Sequence, residues 1–437
     1  MQYVIVYYVI NKNKMNTKNR IEKYPVFLLQ IFFFIKFLKC ATIVLVVRRF
    51  KGLVKMRDKT FLMIPGPTPV PESILLAMAK HPIGHRSTEF SAILEETYAD
   101  LKWLFQTEND VFIYTSSGTG AMEGALSNLV NEGDKVLSLV IGNFGARWAK
   151  IATKLGADVE KIEVPAGQAI DLKVLKERLD ADVNKEIKIV TVTHNETATG
   201  VTNPLKEIVA LIKEHGAVSV VDGVTSVGAI DCKMDEWGID VLVSGSQKGF
   251  MIPPGLAFLA ASEKAFKMHE QCKRPSFYFD WTAYRKSVRA NSTPYTPAVN
   301  LIVALNEALK MMKKEGLENI LARHAKYAKA LRAAIKAIGL KPMVEDDAIA
   351  SNAITSIYPP EGVSVPDIRS TLKKDFDIVV ANGQNDLKDK IFRMGTLGFV
   401  CNRDVLAAVS SLEASLYKLG YKFELGAGVK AAIENLV

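Results

Sequence analysis

Lysine is seldom found inside a protein, yet "VLVSGSQKGFMIPPGLAFLAAS" (241–262) sets Lys248 just beyond a strand-like apolar run. A solvated loop lysine satisfies the pattern. So does a lysine whose amine is held neutral and nucleophilic for use at a carbonyl. Other runs end on residues that could serve the second use. Asp222 closes "AVSVVD" (217–222), where a carboxylate is expensive unless a cation or strong donor meets it, or unless it caps the next helix. Ser116, Ser117, Gly118, Thr119 and Gly120 follow "VFIYT" (111–115). Hydroxyls and small residues at that place leave backbone N–H groups free for an anion, although an ordinary strand-to-helix turn has the same look. Phe144 in "GNFG" brings a flat ring after "KVLSLV" (135–140), and Asn195, Glu196, Thr197 and Gly200 follow "IKIVTVTH" (187–194).

These residues act together only if something aligns them. The apolar runs are short, continuous and rich in Val and Ile, as expected of strands buried on both faces. They alternate with helix-like segments such as "AMEGALSNLV" (121–130), "ARWAKIATKLG" (146–156) and "NPLKEIVALIKEHG" (203–216). Such alternation predicts an α/β fold with a mainly parallel sheet. In open parallel sheets ligands bind at the carboxyl ends of the strands, which is where every residue named above stands. A lysine amine, an acid, a phosphate cradle, a hydroxyl donor and an aromatic plate are together the requirements of pyridoxal phosphate (PLP). The cofactor needs a lysine for its Schiff base, an acid for its ring nitrogen and an anion site for its phosphate.

The same stretches resemble the class V aminotransferases, PLP enzymes of fold type I, nearest the alanine/serine–glyoxylate branch. "MIPGPTPVP", "GHRS" (84–87), "HNETATGV", "VVDGVTSVG", "SGSQKG" and "RMGTLG" (393–398) carry the resemblance, which covers nearly everything after residue 60. It implies that Lys248 bonds the cofactor covalently, Asp222 pairs with the pyridine nitrogen and Val224 packs beneath the ring. Phe144 would stack above, where relatives often have Trp. Ser117, Gly118 and Thr119 would hold the phosphate with help from Gln247, and Thr197 would bond the phenolic oxygen. Arg393 would take the substrate carboxylate by its two-pronged guanidinium, with Gly66 also at the substrate; a structural ion-pair arginine is the alternative. Relatives lend a Thr to the phosphate from the neighbouring subunit of a homodimer, and Thr296 in "TPYTPAV" fits that part.

Residues 1–55 contain eleven Lys/Arg against the single acid Glu22, so they carry +10 of a net +9 and leave the other 382 residues at −1. A near-neutral body has no general attraction for phosphate backbones, which argues against nucleic acid. "VFLLQIFFFIKFLKCATIVLVV" (26–47) is long enough for a bilayer, but Lys36 and Lys39 interrupt it. The expectation is an extension outside the fold, with Met56 a working start; a membrane anchor is the lesser alternative. The body divides into a large PLP-binding domain at 56–300, whose segment 56–85 reaches the active site, and a small α+β domain at 301–437. The helical stretch after 298 is expected to break near Gly316. Four scattered cysteines form no C-x-x-C pair and predict no metal site and a reduced, cytoplasmic setting.

The expected activity is transfer of an amino group from a small amino acid (alanine, serine or aspartate) to a 2-oxo acid such as glyoxylate, by a ping-pong mechanism. A cysteine desulfurase or selenocysteine lyase shares fold and cofactor, but those relatives usually have His before the lysine, where this chain has Gln247. They also need a mobile-loop cysteine, whereas Cys401 follows the arginine strand. A non-catalytic subunit of a redox complex is the remaining alternative.

Overall fold

The computed structural model describes residues 60–274 and 276–437, and Thr60–Val437 forms one compact unit. The basic apolar extension and its 26–47 stretch lie outside the described residues. Among those described, no helix is long and apolar enough to cross a membrane.

In chain order the strands are β1 (Phe61–Met63), β2 (Val111–Tyr114), β3 (Lys135–Val140), β4 (Asp158–Glu163), β5 (Ile187–Thr193), β6 (Asn195–Glu196) and β7 (Val201–Thr202). They continue as β8 (Val218–Asp222), β9 (Val241–Gly245), β10 (Ala257–Ala261), β11 (Ile354–Ile357), β12 (Ile378–Asn382) and β13 (Phe392–Gly395). Seven of them build the main sheet in the order β2-β10-β9-β8-β5-β3-β4. Only β10 runs against its neighbours. Strands β2, β8 and β9 are buried along their whole length, which is why their sequences do not alternate. Helices between the strands cover the sheet, and one large apolar core results.

A second sheet has the order β1-β12-β13-β11. Its core draws on Met63 at one end of the described chain and on residues from Tyr327 to Leu436 at the other, while Ile302 to Ile320 pack into the first core. The long helical stretch does divide at Gly316, between helices Val299–Glu315 and Leu317–Ala337. β1 pairs in parallel with β12, far away in sequence, and the following residues are therefore carried past both halves of the site. A Cβ at Gly395 would lie 2.4 Å from the Ile64 carbonyl oxygen, and one at Gly398 would lie 2.9 Å from Thr68 Oγ1. Thr68 in turn donates to the Lys248 carbonyl at 3.0 Å. Segment 64–68 is thus threaded between the lysine loop and the arginine strand, through gaps that only glycine leaves open.

Candidate active site

Parallel strands that end together set their following residues on one edge, and there a cleft opens to solvent, with about 540 Å³ of space including its mouth. Ser117, Gly118, Thr119, Phe144, Thr197, Asp222, Val224, Gln247 and Lys248, all expected from the sequence, line it. So do Arg147, Asn195, Thr225 and Met122, which sequence reasoning gave no role.

Asp222 is the last residue of the central strand β8 and is buried. Its Oδ1 accepts the Val224 N–H at 2.8 Å. Burial pushes its carboxyl up to about 6, held from rising further by that bond and by the charges of Arg147 and Lys248. Lys248 follows β9, and its Nζ donates to the Pro65 carbonyl at 2.7 Å. Burial pulls its pKa down to about 8; Asp222 opposes the shift, and Arg393 and Arg147 add to it. The amine is therefore partly neutral near physiological pH, the condition for a nucleophile or base. Gly66 fits against it so closely that a Cβ there would stand 2.6 Å from Nζ.

The helix Gly118–Ser127 begins at the cavity wall, with Ser117 as N-cap. Its first amides, at Gly118 and Thr119, have no carbonyl one turn back and add to the helix dipole as an anion site. Gly118 has a second reason to lack a side chain, since a Cβ would meet Val224 Cγ2 at 2.9 Å. On the next helix, Asn143–Lys154, the Arg147 guanidinium lies 4.6 Å from the centre of the Phe144 ring and donates to Thr119 Oγ1 at 2.8 Å. Gln247 presents a buried Oε1 that has no hydrogen-bond partner among the described residues.

Arg393 stands on β13, buried, and neither it nor Gly66 is among the residues lining the cavity. Its Nε donates to the Asn382 carbonyl at 2.8 Å and its Nη1 to the Thr197 carbonyl at 2.6 Å. Burial lowers its pKa to about 10 and the nearby Glu196 carboxylate supports it, so it stays a cation. Thr296 is exposed and does not line the cavity of its own chain. Among the described residues no three His, Cys, Asp or Glu gather as a metal site.

A lysine amine and a buried carboxylate flanking a cavity with a helix-start anion site make a specific chemical demand, and the comparisons meet it. The aminotransferase class-V family model matches residues 60–397. The chain belongs to the class V aminotransferases. It is thus a PLP-dependent transaminase of fold type I. It is 38% identical over 383 residues to the L-aspartate–glyoxylate aminotransferase of Paracoccus denitrificans, covering 87% of this chain and 97% of that one. It is 51% identical over 379 residues to a protein of Anabaena cylindrica named soluble hydrogenase 42 kDa subunit, covering 86% and 98%. The crystal structure of ureidoglycine–glyoxylate aminotransferase from Bacillus subtilis superposes with a TM-score of 0.82 at 30% identity, over 87% of this chain and 99% of that one. The residues present fit the cofactor. A buried carboxylate needing a cation and two open helix amides border the cavity, each of a kind PLP would satisfy.

Of the residues without an assigned role, Arg147 left little signal. One turn beyond Phe144, it belongs by pattern to the polar side of an amphipathic helix. Asn195 and Thr225 are joined by a 2.8 Å bond from Asn195 Nδ2 to Thr225 Oγ1, a pairing that links two strand ends far apart in sequence.

Proposed function

We propose that this transaminase moves the amino group of a small amino acid (alanine, serine or aspartate) to a 2-oxo acid such as glyoxylate, with ping-pong kinetics. The observation that carries the reading is the placement of Lys248 and Asp222 in one cavity, each shifted towards neutrality. PLP bound there would supply an electron sink for charge developing at the donor's Cα. The protein's own residues supply the rest. Asp222, as an anion, keeps a proton on the ring nitrogen opposite it. Lys248 would hold the cofactor and, as a free amine, would carry a proton from the donor's Cα. Phe144 and Val224 bracket a flat ring, while Ser117, Gly118, Thr119 and Gln247 anchor a phosphate. Thr197 would offer its hydroxyl to the cofactor's phenolic oxygen. Arg393, bonded to the Thr197 carbonyl, would orient the substrate carboxylate. A homodimer in which Thr296 reaches the neighbouring phosphate completes the proposal.

The test is a screen of alanine, serine and aspartate against glyoxylate, pyruvate and 2-oxoglutarate with the PLP-loaded protein. Parallel double-reciprocal lines are expected for the productive pair. Lys248→Ala should lower turnover by about 10³-fold or more, as expected when a group serving as both nucleophile and base is removed. Sustained multiple turnover by that variant would end the assignment. The name carried by the Anabaena relative favours a second reading, a subunit acting through a redox partner. Stable co-purification of this chain with such a partner, coupled to no donor-dependent turnover, would select it.

A further inference from the structure

The helix Asn143–Lys154 presents both Phe144 and Arg147 to the cavity, yet its N-cap is Gly142, which has no side chain to accept the helix's first amides. An uncapped start is a loose start, since those N–H groups have no partner one turn back. The missing acceptor comes from another strand. Glu196 of β6 is fully buried, and its Oε2 accepts the Phe144 N–H at 2.8 Å and the Gly145 N–H at 3.2 Å. Its Oε1 accepts the Ala198 N–H at 3.0 Å. Room for the carboxylate exists only because residue 142 is glycine: a Cβ there would lie 2.6 Å from Glu196 Cγ and 2.7 Å from Cδ. The next residue, Thr197, lines the cavity together with Phe144 and Arg147 and gives its carbonyl to Arg393 Nη1.

We infer that Glu196 is a positioning residue: it caps from across the site the helix that carries Phe144 and Arg147, and ties their placement to that of Thr197 and Arg393. Side-chain caps ordinarily come from the residue next to the helix. Supplying this one from β6 means that the aromatic plate and the carboxylate-binding arginine are hung from one short segment, 195–198, so that a shift of either is felt by both. The link to catalysis rests on the PLP reading of the cavity; the cap itself does not.

Amide hydrogen exchange of the cofactor-free protein tests the cap separately from activity. Replacing Glu196 by Ala removes all three acceptor contacts and should speed exchange in peptides spanning 143–147 by about three- to thirtyfold, the range expected for loss of a helix cap. Peptides from the distant helix Asn402–Lys418 should not change. Glu196→Gln keeps one acceptor oxygen and should fall between. Gly142→Ala displaces the carboxylate without deleting it and should give the same local pattern, which decides the matter if Glu196→Ala fails to fold. In the loaded protein the same variants should weaken PLP binding about tenfold and raise KM for the 2-oxo acid more than they lower kcat. Unchanged protection at 143–147 in both variants would overturn the inference, and so would acceleration spread evenly over the chain. If wild-type protein bound no PLP, the reading of the cavity would fall while the exchange data still decided the cap.

Discussion

Asp222 illustrates what a group proposed to serve catalysis takes from the stability of its own protein. Its folded pKa of about 6 lies above the ordinary aspartate range, with burial the main cause. Between those values the folded chain holds a proton that the unfolded chain has released, so stability falls as pH rises through this window. Above it the full penalty applies, about 3 kcal/mol for a rise of that size. Cofactor-free Asp222→Asn, whose amide oxygen can still accept the Val224 N–H, should therefore be more stable than wild type by about 1–3 kcal/mol at pH 7.5. The advantage should shrink as pH is lowered through 6 towards 4. Denaturation midpoints at three pH values check this, and a variant less stable than wild type at pH 7.5 would contradict it. The loaded variant should lose turnover, because a neutral amide cannot favour a protonated ring nitrogen. Such a residue is legible in sequence because the anomaly is local: an acid ending an apolar strand, or a lysine after one. Arg147 and Glu196 sit in polar surroundings where their types are unremarkable, and their roles emerge only from contacts to Thr119, Phe144 and Gly145.

At the level of elements, the sequence locates what is buried on both sides and misses what is not. β3, β5, β8 and β9 stand as continuous apolar runs within a residue of the expected places. β4 lies at the sheet edge, pairs only with β3 and is largely exposed, so "DVEKIE" carries too little hydrophobic signal to be read as a strand. β1 is three residues long, and its partner β12 is far along the chain, beyond the reach of any local pattern. That short strand matters, because it brings Gly66 against Lys248. Gly66 has φ +139°, where a side chain is strained, and an added Cβ would also stand 2.6–2.8 Å from Nζ, Cδ and Cε of the lysine. Gly66→Ala should displace the amine and lower kcat about tenfold to a hundredfold, the scale on which misplacing a reacting group by an ångström acts. Its peptide map after borohydride reduction should show a reduced yield of cofactor on Lys248. Normal labelling with normal kcat would show that the contact tolerates relaxation.

For the whole molecule, the surface around Thr296 bears on how sites are assembled. Phe277 is 81% exposed, Tyr278 is 40% exposed, and Tyr278 stacks on Tyr295 with ring centres 5.4 Å apart. Aromatic side chains held rigid at a surface cost little entropy to bury and are enriched where proteins meet. In the proposed homodimer this face lies against its counterpart, and Thr296 of each chain serves the other chain's phosphate site. Symmetry then makes the proposal testable without a structure of the assembly. Lys248→Ala chains lack the amine but offer a sound Thr296; Thr296→Ala chains have the amine but a defective donor. If each site joins Lys248 of one chain to Thr296 of the other, a mixed dimer contains one intact site and one site with both defects. Random re-pairing of equal amounts should then restore about a quarter of wild-type sites, since half the dimers are mixed and each regains one. PLP titration and activity of the mixture, compared with the two variants kept apart, measure the recovery. A mixture no better than the average of its parts would mean that Thr296 serves its own chain or none; if none, the phosphate rests on the helix start at Gly118 and Thr119 with Gln247 alone.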